Sequence, residues 1–387
     1  MGKWLAVLGL ITAPLAQAQI DLLFTHENKA FAQVFAPFTA ATGIQVKASW
    51  VDQANLKLQL LREADGGQLP DAVVMPADHV GLHEKTRLAA IPADWFDPAI
   101  PEQARATTFV DGAHYGIPLL MGNHLLLYYN KALVTTPVSR WEQMVDEEKR
   151  LQPQGRHAIR WSFAEMYWFV PFLGAFGGWP MDGGQVTLNT PAMARTLAYY
   201  WQLQRDGLVP SDCDYDCAFN AFIQGQAAYS YNGIWAHNQY LQALGDNLGI
   251  APLPTAGGNR LVPMYSSIAI AFPNMSADST KRQQLRQLAL YLQSEQSQRL
   301  MWQVVKDFPA HQQLAAEIAA SASGNTAAIL AELKQARAMP SDSAMAYAWE
   351  AMGKGFTRFG ANILSAEQAA SLMQQLADKS VNAAQSQ

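Results

Sequence analysis

The chain has 387 residues, a formal net charge of −5, 50% hydrophobic residues and 15% charged residues. That length fits two or three domains of about 150 residues, and the apolar fraction excludes a disordered chain. Mild acidity without a basic block argues against nucleic acid or an anionic membrane surface as the main partner. Two cysteines cannot frame a disulfide miniprotein or a four-cysteine zinc site.

Residues 1–18 read as a signal peptide. Lys3 supplies the positive start, Trp4 to Ala16 is an uncharged and mainly apolar run, and Ala16-Gln17-Ala18 is an A-x-A cleavage signature. The run is too short to span a bilayer, and Pro14 interrupts it. No lipid-bearing cysteine follows. The expected product is periplasmic and starts near Gln19.

The following segments alternate strands and helices. Ile20 to Phe24 predicts a strand. Phe31, Val34, Phe35 and Phe38 recur at helical spacing, with Pro37 inside the run and Gly43 as a stop. Ile44, Val46, Ala48 and Trp50 alternate as in a half-buried strand. Leu56, Leu60 and Leu61 mark a helix, and Ala72 to Met75 a buried strand ended by Pro76. Leu125 to Tyr129 is strand-like. Ser139-Arg140-Trp141-Glu142 reads as a capping box, and Thr190-Pro191 as a helix start closed by Gly207 and Pro210. Ala227 to Tyr231 predicts a strand, Asn232-Gly233 and Gly257-Gly258 predict turns, and Ile268 to Phe272 predicts an apolar strand. From Thr280 the chain is mostly helical, with Leu285, Leu288 and Leu292 on one face. This grammar implies parallel or mixed α/β sheets covered on both faces, too many strands for one sheet, and therefore two lobes with a cleft between them.

Catalytic signatures are few. There is no phosphate loop, since Gly353-Lys354-Gly355 lacks the spacing, and no nucleophile elbow or metalloprotease helix. Asp78-His79 and His83-Glu84 place two histidines at i and i+4. On a helix both rings would share a face open to a metal, and the plain alternative is a solvated first turn. No metal is assigned. Cys213 and Cys217 are candidates for a short disulfide in a secreted chain, with free thiols or an incomplete metal site as alternatives. Asp212, Asp214 and Asp216 read as a solvated loop. Eleven Trp and thirteen Tyr are more informative. Glu165-Met166-Tyr167-Trp168 and Tyr231-Asn232-Gly233-Ile234-Trp235 set flat rings beside polar groups, which suits the apolar face and the hydroxyls of a sugar. Trp141, Tyr200 and Trp201 follow helical periodicity and belong to the core.

The order of several short motifs resembles the extracellular solute-binding proteins of ABC importers, in particular the maltose-binding branch. They are Phe38-x-x-x-Thr42-Gly43-Ile44, Leu69-Pro70-Asp71-Ala72-Val73, Tyr115-Gly116-Ile117-Pro118 and Tyr128-Tyr129-Asn130-Lys131. Further along come Ala221-Phe222-x-x-Gly225-x-Ala227-Ala228, Asn232-Gly233-Ile234-Trp235-Ala236 and Ala251-Pro252-Leu253-Pro254. The resemblance implies a two-lobed α/β periplasmic-binding fold of type II, with mixed sheets flanked by helices. One lobe would comprise residues 19–121 plus about 268–314, the other 122–267 plus about 315–387. Crossings would lie near Met121 to Leu125, near Tyr265 to Ser267 and after about Phe308. A hinge motion would close the lobes on the ligand.

Carried over position by position, Tyr167 and Trp235 match stacking aromatics, Glu165 and Asp78 match carboxylates that bind sugar hydroxyls, and Tyr215 matches a cleft tyrosine. His26, His79 and Asn123 stand where the family has lysine, arginine and glutamate. Met75 and Ala346 replace two stacking tryptophans, and Glu350 replaces an arginine. Tyr347 and Trp349 lie close enough to substitute. The implied function is capture of a sugar or oligosaccharide, maltose- or maltodextrin-like, and delivery to an inner-membrane ABC permease. The expected protein is a monomer with no cofactor and no catalytic residue. The alternatives are a secreted carbohydrate-active enzyme using carboxylates such as Glu165 and Asp78, or the same fold with a non-sugar ligand such as a polyamine or a phosphorylated polyol.

Overall fold

The computed structural model describes residues 18–26, 28–273, 275 and 279–385. The expected signal segment lies outside the described residues except for Ala18. Among the described residues, ten strands and one short strand build the two main sheets: β1 (Gln19–Phe24), β2 (Gln45–Trp50), β3 (Ala72–Pro76), β4 (Ile117–Gly122), β5 (Leu125–Asn130), β6 (His157–Arg160), β7 (Ala227–Gly233), β8 (Leu248–Ala251), β9 (Met264–Ala271) and β10 (Phe308–Pro309). The first sheet runs β10-β4-β9-β3-β1-β2, and the short strand Arg337–Ala338 pairs with the start of β9. The second runs β8-β5-β7-β6. Both are mixed: β1 is parallel to β2 and β3, β9 antiparallel to β3 and β4, and β7 parallel to β6 but antiparallel to β5. Each sheet carries helices and its own core, as expected for two α/β lobes.

Burial follows the strand patterns. Central β3 and β7 are buried along their whole length, whereas edge strand β2 alternates half-buried and exposed positions. Trp141 and Tyr200 are fully buried in the second core, and Trp201 packs against it half-buried. Among the described residues no helix is long and apolar enough to cross a membrane.

Four local expectations need correction. The run from Phe31 to Phe38 is two helices, a 3-10 helix Lys29–Phe35 and an α-helix Ala36–Thr42, because Pro37 has no N–H to continue the first and suits the opening turn of the second. Gly43 ends it in the left-handed conformation at φ 73°. The helix Trp141–Leu151 is capped one residue later than expected. Gln143 Oε1 accepts from the Ser139 and Arg140 N–H groups at 2.9 and 3.0 Å, and Glu142 instead takes the Tyr199 hydroxyl at 3.1 Å. Asn232-Gly233 is no turn. Both residues continue β7 against Leu126 and Leu125, and the buried Asn232 carboxamide donates to Tyr240 at 2.9 Å. Asp214 is not merely solvated, since its carboxylate accepts from Cys217 N–H at 2.8 Å and caps the helix Tyr215–Ile223.

Two crossings are clear from the order of strands. β4 passes directly into β5 through Asn123 and His124, and Asn123 takes φ 52°, a conformation asparagine tolerates. His124 is fully buried, and its Nε2 lies 3.1 Å from the Ile329 carbonyl. Burial pushes its pKa down to about 4. The return runs from β8 to β9, where Tyr265–Ser267 sit near the start of β9.

Candidate functional site

The carboxyl ends of β1, β3 and β7 are followed at once by His26, by Asp78 and His79, and by Trp235. Strand ends of this kind are where open α/β sheets hold ligands. Asn123 joins them from the β4–β5 crossing, Tyr167 from the start of the helix Met166–Ala175, and Trp349 from the helix Ala344–Gly360. Two recesses result.

The first is narrow, about 30 Å³, and combines His26, Pro76 and Asp307 from the first sheet's side with Asn123, Ile234 and Trp235 from the second's. Trp235 is half-buried. Its indole lies flat on the backbone of Gly233, where a Cβ would come within 2.1 Å of the ring. Trp168 meets it edge-on, with centroids 5.9 Å apart. The position after β7 can therefore project an indole into the recess only because residue 233 has no side chain. His26 and Asp307 form a buried pair at 3.0 Å.

The second recess, about 190 Å³, is lined by Lys57, Asp78, His79, Asp342, Ala346 and Trp349, among others. Tyr167 links the two recesses. Its ring centroid is 6.0 Å from that of Trp235 and 6.2 Å from that of Trp349. Its hydroxyl donates to the Asn123 carbonyl. Burial pushes the phenol pKa up, and the Asp78 carboxylate adds to the effect. Trp235 thus borders the first recess and Trp349 the second, with Tyr167 packed between the two indoles and carboxylates in both recesses.

The structure does not gather every expected residue. Tyr215 stands 6.5 Å from Trp168 and lines neither recess. Glu165 is exposed at the N-terminus of its helix and lines neither recess. Tyr347 faces Lys85, whose Nζ is 5.9 Å from the ring. Met75 is buried inside β3, and Glu350 pairs with Lys354 at 2.6 Å. His79 and His83 do not share a face, because Ala77–Leu82 is a 3-10 helix with three residues per turn. His83 is buried against Tyr115 at 3.8 Å, while His79 looks into the second recess. Among the described residues no group of three His, Cys, Asp or Glu could hold a metal. Cys213 and Cys217 form a disulfide at the start of the helix that carries Tyr215. Asp307, Lys57 and Asp342 escaped sequence reading. None sits in a motif, and Asp307 meets its partner 281 positions away.

The model of the family described as bacterial extracellular solute-binding protein matches residues 33–332. The chain belongs to this family. Among curated relatives, the galactooligosaccharide-binding protein of Bacillus subtilis (strain 168) is 25% identical over 304 residues, covering 72% of this chain and 69% of that protein. The maltodextrin-binding protein MdxE of the same strain is 26% identical over 215 residues, covering 50% of this chain and 49% of its own length. The maltose/maltodextrin-binding domain MalE from Bdellovibrio bacteriovorus, solved bound to maltotriose, superposes with a TM-score of 0.83 at 24% identity, covering 94% of this chain and all of that one. The likeness confirms the two-lobed solute-binding fold expected from the sequence.

Proposed function

We propose that this protein is the periplasmic receptor of an ABC importer, and that it captures a sugar or oligosaccharide in the cleft and delivers it to an inner-membrane permease. The observation that carries this reading is the aromatic run Trp235–Tyr167–Trp349, whose two indoles face recesses that hold Asp307 and Asn123 on one side and Asp78 and His79 on the other. Flat rings cover the apolar faces of pyranoses, and carboxylates and amides take their hydroxyls. The relatives named for galactooligosaccharides and maltodextrins support the same ligand class.

The lobes are residues 19–121 with about 268–314, and 122–267 with about 315–387. Packing supports this division, because Met345, Met352, Phe356 and Met373 join the core of the second sheet. The crossing at Asn123 and His124 is the hinge, and closure brings Trp235 toward His26 and Asp307. The protein acts as a monomer and as a binder, leaving the glycan uncleaved. A thermal-shift screen over mono- and oligosaccharides tests the assignment. A ligand at 100 times its Kd adds about 2.7 kcal/mol of stability, which raises the melting temperature measurably. No shift with any saccharide, or the appearance of shortened products on incubation, refutes it.

A further inference from the structure

We propose that Asp307, held in place by His26, selects the ligand at the floor of the first recess by accepting hydrogen bonds from the hydroxyls of a sugar ring beside Trp235. This rests on the saccharide reading of the cleft. Asp307 lies between Lys306, which closes the helix Glu295–Val305 at φ 62°, and β10. It is only 7% exposed, yet it lines the recess.

Position 26, the expected ligand contact, has nothing left to offer a ligand. His26 Nδ1 accepts the Asn28 N–H at 3.1 Å, so that nitrogen carries no proton. Nε2 therefore holds the proton and donates it to Asp307 Oδ2 at 3.0 Å. The ring is clamped nearly parallel to Phe31, with centroids 5.4 Å apart. His26 is thus a strut that holds the Asp307 carboxylate in place. Its field reaches across the cleft: Asp307 opposes the burial that lowers the pKa of His237 beyond β7.

The second Asp307 oxygen has no hydrogen-bond partner among the described residues, and no lysine or arginine lines the recess. A carboxylate can accept about four hydrogen bonds, of which the His26 N–H supplies one. The missing donors must come from water or from the occupant. Sugar hydroxyls meet the need, whereas a phosphate or carboxylate ligand would be repelled. The side chain of Asn123, on the opposite lobe, also makes no hydrogen bond among the described residues and adds both a donor and an acceptor.

The test is calorimetric titration of the mature chain with maltotriose and with a galactooligosaccharide mixture, beside melting of the ligand-free protein. Asp307→Asn keeps the shape and an oxygen for the His26 N–H but removes the charge. It should weaken binding of the probe by about tenfold, the worth of a charge-assisted hydrogen bond, with a melting temperature equal to or above wild type. His26→Gln, whose amide still donates to Asp307, should retain affinity within about threefold, while His26→Ala, which frees the carboxylate, should lose more. Asp307→Asn that binds within about twofold of wild type, or equal affinities for the two His26 variants, overturns the assignment. If wild type binds neither probe, the saccharide reading falls and takes this one with it. Wild-type binding with an unaffected Asp307→Asn removes this one alone.

Discussion

Truncating Trp235 to alanine distinguishes a binding platform from a packed core residue. The indole rests on Gly233, meets Trp168 edge-on at 5.9 Å, and turns its remaining surface to the first recess. A fully buried tryptophan costs about 3–5 kcal/mol on truncation. Trp235 is only half-buried, so about half of that, roughly 2 kcal/mol, is expected for the ligand-free fold. That corresponds to a fall of a few degrees at most in a chain of this size. In the complex the ring is covered on both faces and becomes a desolvated aromatic anchor. Its loss should then cost a further ~2 kcal/mol in affinity, about thirtyfold. Gly233→Ala supplies a second perturbation, because the new methyl group must displace the indole without deleting it. It should also weaken binding. Calorimetric titration with maltotriose and melting of the free protein on the same samples separate the effects. Unchanged affinity in both variants, with a large drop in the melting temperature of the free Trp235→Ala protein, refutes the platform.

The buried histidine of the β4–β5 crossing predicts a pH dependence. Burial holds His124 near pKa 4 against an ordinary 6.5, so the fold keeps it neutral while the unfolded chain takes up a proton as pH falls. Stability is therefore present above about 6.5 and is lost on acidification toward 4, by about 3 kcal/mol in full. In urea titrations at pH 7 and pH 5, His124→Gln should show the shallower fall, and equal falls contradict the buried neutral imidazole. For the disulfide, native protein should titrate no thiols and reduced protein two. Because Cys213 and Cys217 enclose so short a loop, reduction should change the melting temperature little. Mass spectrometry of the periplasmic fraction should find a chain starting near Gln19, and full-length protein in the membrane fraction contradicts the cleavage assignment.

What the sequence revealed follows from the range of each interaction. Strands such as Ala72 to Met75 and caps such as Thr190-Pro191 are local patterns, and they stand where periodicity put them. The aromatic run was legible because Tyr167 and Trp235 sit beside strand and helix ends with recognisable neighbours. Asn232-Gly233 misled because a turn dipeptide continues a strand when tertiary packing supplies a partner, here Tyr240. His79 and His83 misled because a 3-10 helix changes the spacing that brings side chains together. Asp307 was invisible for another reason. It follows a helix end without a motif, and its meaning comes from His26 at the far end of the chain and Trp235 across the cleft. Lys57 and Asp342 likewise enter the second recess from elements distant in sequence.

On this reading the cleft between the two sheets binds a saccharide against the Trp235–Tyr167–Trp349 run. Isothermal titration of the purified mature chain with maltotriose and with galactooligosaccharides addresses it most directly. Saturable binding at one ligand per chain, weakened by Trp235→Ala and by Asp307→Asn and accompanied by no cleavage of the glycan, is the predicted result. Absence of binding to both probes, or binding indifferent to both substitutions, contradicts it.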